Sequence, residues 1–369
     1  MKAVVQEFVP FHGCGRSAIH NLIEPPSLVR EFMAHPPLGF AGLELEGGIP
    51  AFTTDFDLLT TMRPEERRRF EGLPFARSWA RWLRPRTFFV GTTVTEYTLL
   101  PRDCAPDRFI DHLLRDGAQY PFVIIKDLPT EAALVGKPAY AYSAALARAA
   151  NAAGFLLLEG QALAYVPVDF DTVEQFLARM PYLRRKEFRR KLRSAGRVEI
   201  QEIPTGDARL RDTALLEHCY ALYRNVFAQS ATQFDLLSPE FFTALLQESA
   251  NQGVLFTYRA HGELIGFNLC FTYEDRLIDK YLGFAYPQAR EHDLYFVSWF
   301  HNLGYALARG LHCYVAGWTD PEVKRRLGAK FTFTQHAVYI RNPLLRFALR
   351  PFKRRFEADS DWHAASNHS

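Results

Sequence analysis

The sequence predicts an α/β (α+β) fold in which a mixed, mostly antiparallel sheet is flanked by helices. Three observations carry this. Strand-length apolar runs alternate with helical stretches as far as Val168. Three further runs, Val254 to Ala260, Glu263 to Tyr273 and Arg276 to Phe284, are separated only by His261-Gly262 and Glu274-Asp275, which makes them an antiparallel meander. A polar loop, a long aromatic-rich helix closed by Gly310, and one more strand, Leu311 to Gly317, follow directly.

The first forty residues, with Pro25-Pro26 and Pro36-Pro37, read as an irregular lead-in. Strands are expected over Gly39 to Leu45, Ile49 to Met62, Thr87 to Leu100, Tyr120 to Asp127 and Gly154 to Val168, with helices over Asp107 to Asp116 and Ala139 to Ala153. A short helix, Asp171 to Met180, leads to Pro181, which suits the first turn of the next one. Tyr182 to Arg197 then carries eight basic residues and a single acid, Glu187. Arg211 to Gln229 is a further helix; Ser238-Pro239-Glu240 starts another that reaches Asn251, with Gly253 ending it. The loop Ala285 to His292 opens the long helix Asp293 to Gly310. A short helix from Pro321 to Leu327, Gly328 and a strand from Lys330 to Ile340 come last, before a polar, fraying tail beyond Pro351. The division expected is 1–170, 171–345 and a basic, polar tail 346–369.

With 369 residues, 48% of them hydrophobic and 14% aromatic, the chain has material for a sizeable core, which argues against wholesale disorder. A net charge of +3 makes no global case for nucleic acid. Met1 to Glu7 lacks the apolar centre of a signal peptide, and no run of about 18 uncharged apolar residues occurs, so a cytoplasmic protein is expected. The five cysteines (Cys14, Cys104, Cys219, Cys270, Cys313) are odd in number and scattered, which suits reduced thiols. His12-x-Cys14, His218-Cys219 and His312-Cys313 do not have metal-site spacing, so no metal is expected.

A helix that starts just after a strand presents unpaired N–H groups and a positive dipole end, a setting for a phosphate or an oxyanion. That places the expected chemistry near residue 292. His292 stands where the dipole disfavours its cation and keeps it usable as a base. Asp293 reads first as the helix cap, and with Arg290 it is a candidate for the donor-binding rim. Tyr281 on the strand and Tyr295 in the first helical turn are candidate acids for a leaving group; tyrosines also serve as amphipathic core edges. Asp279 and Lys280 alternate across the strand, so one of them faces the cleft. Phe296, Trp299 and Phe300 suit an acyl pocket but more simply pack the helix on the sheet.

At about 100° per residue, Arg185, Lys186, Arg189, Arg190 and Arg193 share one broad side of the basic helix, with Phe188 and Leu192 as its buried edge. A solvated face is the plain reading. The functional one has Arg185 and Arg189 meeting a phosphate-bearing donor. Arg341 to Phe356 interleaves cations with Leu and Phe, which suits packing on the N-terminal half or contact with a membrane surface.

The order of helix pair, meander and strand–loop–helix–strand resembles the Gcn5-related N-acetyltransferase (GNAT) fold. Residues from about 180 to 340 resemble its Fem-type and BioF2-like acyltransferase branch. The residues that carry this are the basic helix from Tyr182 to Arg193, the strand Lys280-Tyr281-Leu282-Gly283, and the run Gly317-Trp318-Thr319-Asp320-Pro321-Glu322-Val323-Lys324-Arg325-Arg326-Leu327-Gly328. The last is similar to that branch's glycine-to-lysine motif. The resemblance implies that Lys324 neutralises charge near the transferred acyl group, where the plain alternative is a solvated run of three cations. Trp318 and Asp320 flank the site, Asp320 reading first as an N-cap. The resemblance also implies two GNAT-like halves, the first degenerate. One departure stands out: the loop Tyr286-Pro287-Gln288-Ala289-Arg290-Glu291-His292 has no glycine, where the usual acetyl-CoA loop needs one for close backbone approach.

The function expected is an N-acyltransferase that moves an acyl or aminoacyl group onto a primary amine of a small molecule or peptide by direct attack. The donor would be acyl-CoA, an acyl-carrier-protein thioester or an aminoacyl-tRNA, with no covalently bound cofactor. A non-catalytic binding or scaffold protein, or a tRNA-binding protein using residues 182–197, is the alternative.

Overall fold

A computed structural model describes residues 19–45, 47–58, 84–230 and 233–349. His12, Cys14, the end of the second expected strand and the tail beyond Pro351 lie outside the described residues. In chain order the elements are α1 (Pro26–Ala34), β1 (Ala41–Leu45), β2 (Ile49–Asp55), β3 (Arg86–Val90), α2 (Pro106–Asp116), β4 (Phe122–Pro129), α3 (Gly136–Ala152) and β5 (Leu156–Pro167). Then come α4 (Val173–Ala178), α5 (Tyr182–Ser194), β6 (Glu199–Pro204), α6 (Thr213–Gln229), α7 (Pro239–Gln247) and the meander β7 (Gly253–Ala260), β8 (Glu263–Tyr273), β9 (Arg276–Phe284). The chain continues through α8 (Gln288–Glu291), α9 (Leu294–Ala308), β10 (Cys313–Gly317), α10 (Pro321–Arg326), β11 (Lys330–Ile340) and α11 (Pro343–Leu349).

The eleven strands among the described residues form one sheet in the order β1-β2-β3-β4-β11-β5-β10-β9-β8-β7-β6. It is mixed and mostly antiparallel, as the pattern predicts. Only β3 with β4, and β9 with β10, run parallel within it. Both parallel pairs are joined by a crossover that contains a helix, as parallel neighbours require. The two long strands, β5 and β11, lie side by side at the centre: β5 bonds to β10, and β11 bonds to β4. Residues remote in sequence are thereby held side by side in mid-sheet.

Several elements differ from the sequence reading, each for a physical reason. Part of the lead-in forms α1, because Pro26 sits in its first turn, where a proline costs nothing, and Leu28, Val29 and Phe32 are buried. The strand expected over Thr87 to Leu100 stops at Val90. Gly91 follows at φ +104°, and Thr92 Oγ1 then accepts from the amides of Val94 (3.2 Å) and Thr95 (3.0 Å), so its hydroxyl captures the backbone in a local turn. β6 escapes the pattern because it is a polar edge strand with little apolar alternation. The loop before the long helix contains α8, and α9 starts at Leu294. No helix among the described residues is long and apolar enough to cross a membrane.

α9 is apolar around most of its circumference and is correspondingly buried between the sheet and α5. Phe188 of α5 meets Phe296 and Phe300 of α9 edge-on at 5.0 and 5.8 Å, so these rings pack the helix rather than line an open pocket. α6 and α7 cover the opposite face through Leu222, Phe241 and Phe242. Gly283 on β9 faces α6 closely: an added Cβ would lie 2.9 Å from Leu222 Cβ and nearer still to the Phe267 ring. Gly283→Ala is therefore expected to destabilise the fold by about 2 kcal/mol through overpacking, read as a lower urea midpoint with an unchanged slope.

Candidate active site

β9 and β10 are paired only from Arg276 to Ile278 and from Cys313 to Val315, after which they part. Just beyond, Lys280 is the extra residue of a β-bulge: Tyr281 pairs with Leu269 and Asp279 with Cys270. Simple alternation would put Asp279 and Tyr281 on one face. The bulge sends them to opposite faces.

Asp279 points toward α9. Its carboxylate accepts hydrogen bonds from Asn268 Nδ2 (2.6 Å), Tyr314 OH (2.9 Å) and Asn302 Nδ2 (3.2 Å), and the three donors are fully buried. Burial nevertheless pushes Asp279 up to about 6, with Glu96 adding to the rise. Asn302 is one of the few polar residues on α9; its Nδ2 donates to Asn268 Oδ1 as well as to Asp279, and its Oδ1 is buried without a partner among the described residues.

Lys324 approaches from α10. It is 4% exposed, whereas Val323 before it is 42% exposed and Arg325 and Arg326 after it face solvent. The run of three cations is thus not a uniformly solvated face. Burial pulls the Lys324 ammonium down to about 8, against the opposing pull of Asp279, Glu96 and Asp320. An added Cβ at Gly317 would stand 3.9 Å from Lys324 Nζ, so the glycine leaves the space beside the ammonium open. Gly317 also has φ +79°, which favours glycine independently.

Tyr295, in the first turn of α9, shares Asp320 and Asp279 as charged neighbours with Lys324, and burial with those carboxylates holds its phenol protonated. Trp318, next to Gly317, meets Tyr97 edge-on at 6.3 Å. Glu96 comes from the segment after β3. With Glu24 it encloses Lys280: Lys280 Nζ donates to Glu96 Oε1 at 2.6 Å and lies 4.0 Å from Glu24 Oε1, all three side chains being at most 7% exposed. Of the pair considered for the cleft, Asp279 therefore faces Lys324, while Lys280 is spent on the two glutamates.

The structure thus brings Tyr295 and Lys324 near Asp279, while Trp318 follows Gly317 and contacts Tyr97. Other candidates lie elsewhere. The Tyr281 ring sits across the sheet among Tyr223, Phe241 and Phe242. His292 has its ring contact with His261 on the β7–β8 turn, at 6.4 Å. Arg290 bonds Gln229 (3.1 Å) and stacks over Tyr286, and Asp293 does not cap α9 but pairs with Lys191 at 3.0 Å. Arg185 and Arg189 lie on α5, where Arg185 donates to the Ala178 carbonyl and Arg189 pairs with Glu174. Of the amides expected to be free near residue 292, those of Ala289, Arg290, Glu291, His292 and Asp293 bond to carbonyls between Ala285 and Arg290, while those of Leu294 and Tyr295 at the start of α9 make no backbone hydrogen bond among the described residues. That loop has no spare donors at residues 289–293 for a pyrophosphate.

Glu24, Glu96, Asn268 and Asn302 were missed by sequence reasoning. The only available signal was a glutamate in a threonine-rich run, which reads as strand propensity. The thiols of Cys219 and Cys313 are each pushed up to about 12 by burial, so neither offers a thiolate nucleophile near neutral pH.

A family model described as peptidoglycan biosynthesis/recognition matches residues 125–368, well over half of the chain. The chain belongs to the FemAB-like family. Its GNAT-like fold and Fem-type affiliation agree with the resemblance read from the sequence. No curated protein sequence matches it. Among solved structures, the C-terminal domain of a putative lysylphosphatidylglycerol synthetase from Agrobacterium fabrum is 11% identical, with 88% of this chain and 89% of that one covered, TM-score 0.53. L-PGS from Bacillus licheniformis is 10% identical, with 90% and 97% covered, TM-score 0.53. FemX is 10% identical, with 89% and 98% covered, TM-score 0.48. At such identities the likeness to the two synthetase structures is one of fold.

Lys324 has a folded pKa below its unfolded value, so the unfolded chain binds more protons between about 8 and 10.5 and stability rises with pH through that window. Lys324→Met is accordingly expected to stabilise this FemAB-like protein at pH 7 by up to about 3 kcal/mol. The gain should shrink as pH climbs from 8 toward 10.5, which thermal melts across pH will show.

Proposed function

We propose that this protein is an aminoacyltransferase that moves an aminoacyl group from an ester-linked tRNA donor to a primary amine. The observation that carries the proposal is the buried Lys324 opposite Asp279, beside the bare backbone of Gly317, at the point where two parallel strands part. Membership of the FemAB-like family and the synthetase-like fold support the class of reaction. The choice of donor rests on the loop from Tyr286 to His292, where a coenzyme A pyrophosphate would find neither glycine nor a free amide among residues 289–293.

The chemistry follows from the charges. Asp279 takes a proton from the acceptor ammonium and frees its lone pair. The amine attacks the ester carbonyl, a C–N bond forms, and the Lys324 cation offsets the charge on the carbonyl oxygen. Collapse breaks the C–O bond to the ribose. Tyr295 gives its proton to that oxygen and receives the second proton from nitrogen, so it ends unchanged. No covalent enzyme intermediate is needed, which fits the inert buried thiols.

The test is label transfer to a panel of primary amines from aminoacyl-tRNA, acyl-carrier protein and acyl-CoA. Transfer from aminoacyl-tRNA is expected, with Lys324→Met lowering it at least about a hundredfold. Because that variant should be more stable than the parent, its loss cannot be put down to unfolding. Equal transfer from acyl-CoA would overturn the donor assignment, and binding without transfer from any donor would favour a non-catalytic binding protein.

A further inference from the structure

The cations of α5 have a second possible partner. Its first turn exposes Tyr182 (65%) and Leu183 (78%), and Val323 on neighbouring α10 is 42% exposed. The two helices share one surface, since Arg326 of α10 lies 3.8 Å from Glu187 of α5. Beside this apolar group is a cleft of about 230 Å³ whose floor includes Phe176 and Met180 and whose walls include Arg179, Arg184 and Lys330. Asp169 is the acid in that wall, and Arg179 already holds it. Among the described residues Arg184 and Lys330 form no ion pair, and neither do Lys186, Arg190 and Arg193 further along α5.

We propose that this face docks on an anionic phospholipid surface, with Tyr182, Leu183 and Val323 entering the headgroup region and a lipid phosphate held in the cleft by Arg184 and Lys330. Cations without an ion-pair partner around protruding apolar side chains suit an anionic bilayer, where one set draws the protein in and the other anchors it. A nucleic acid accounts for the cations but not for Leu183 and Val323, which have no ring to stack on a base and lose nothing by leaving a phosphate backbone. Position adds to the argument. α10 turns Val323 outward and Lys324 inward, so the docking face and the reaction centre share one short helix. The inference stands independently of the donor assignment above.

The full chain should be sedimented with phosphatidylcholine vesicles, with and without about 30 mol% phosphatidylglycerol, in about 0.15 M salt. Binding is expected only to the anionic vesicles, weakened about tenfold by Leu183→Asp and by the Arg184→Glu/Lys330→Glu pair at unchanged melting temperature. The emission added by Tyr182→Trp should shift to the blue on binding, and Lys324→Met should bind like the parent, which separates this test from that of the transferase. Absence of binding, equal binding to neutral vesicles, or variants that bind like the parent would overturn the proposal. So would deacylated tRNA binding that is lost in the charge-reversed pair while vesicles leave the protein in solution.

Discussion

The site depends on a charge held where charge is costly. Lys324 is buried in a helix whose other residues face water, and its ammonium survives only because Asp279, Glu96 and Asp320 stand near it. Those acids are held in turn: Asp279 by Asn268, Asn302 and Tyr314, and Glu96 by Lys280. Desolvating such charges costs more than their mutual attraction returns, so the set does not add to stability. A fold does not keep this arrangement for stability, and that is the physical ground for reading it as a reaction centre.

The bulge at Lys280 is what makes the arrangement possible. In a regular strand Asp279 and Tyr281 would share a face, and either both or neither would meet α9. The extra residue turns Tyr281 into the packing under α6 and α7 and leaves Asp279 facing Asn302. A backbone irregularity of one residue thereby divides two polar side chains between the packing under α6 and α7 and the buried cluster facing α9.

What could be read in the sequence follows from the range of the interactions. The meander, the crossover to β10 and the glycine-to-lysine run are local patterns, and each was legible. The placement of Tyr295 on α9 and of Lys324 on α10 follows from them. That the amides of residues 289–293 are consumed cannot be seen in the sequence, because a helix start does not reveal the turn α8 that precedes it. Glu96 and Glu24 could not be found because nothing local distinguishes them. The threonines around Glu96 suggest a strand, and only the completed sheet shows that its carboxylate reaches Lys280, 184 positions away.

That long-range contact explains why the two central strands matter. β5 and β11 each bond antiparallel to a strand from the other part of the chain, β10 and β4, and so join the two parts through ladders in mid-sheet. The electrostatics need this rigidity. Glu24 is pushed up to about 7 by burial, so with Glu96 and Lys280 it forms a group close to neutrality, with a proton to gain or lose near physiological pH. A small displacement of Glu96 would alter the field at Asp279 and at Lys324 together, since both feel it. Burial raises Asp279 to about 6 and lowers Lys324 to about 8, a separation that lets a base and a cation act side by side near neutral pH.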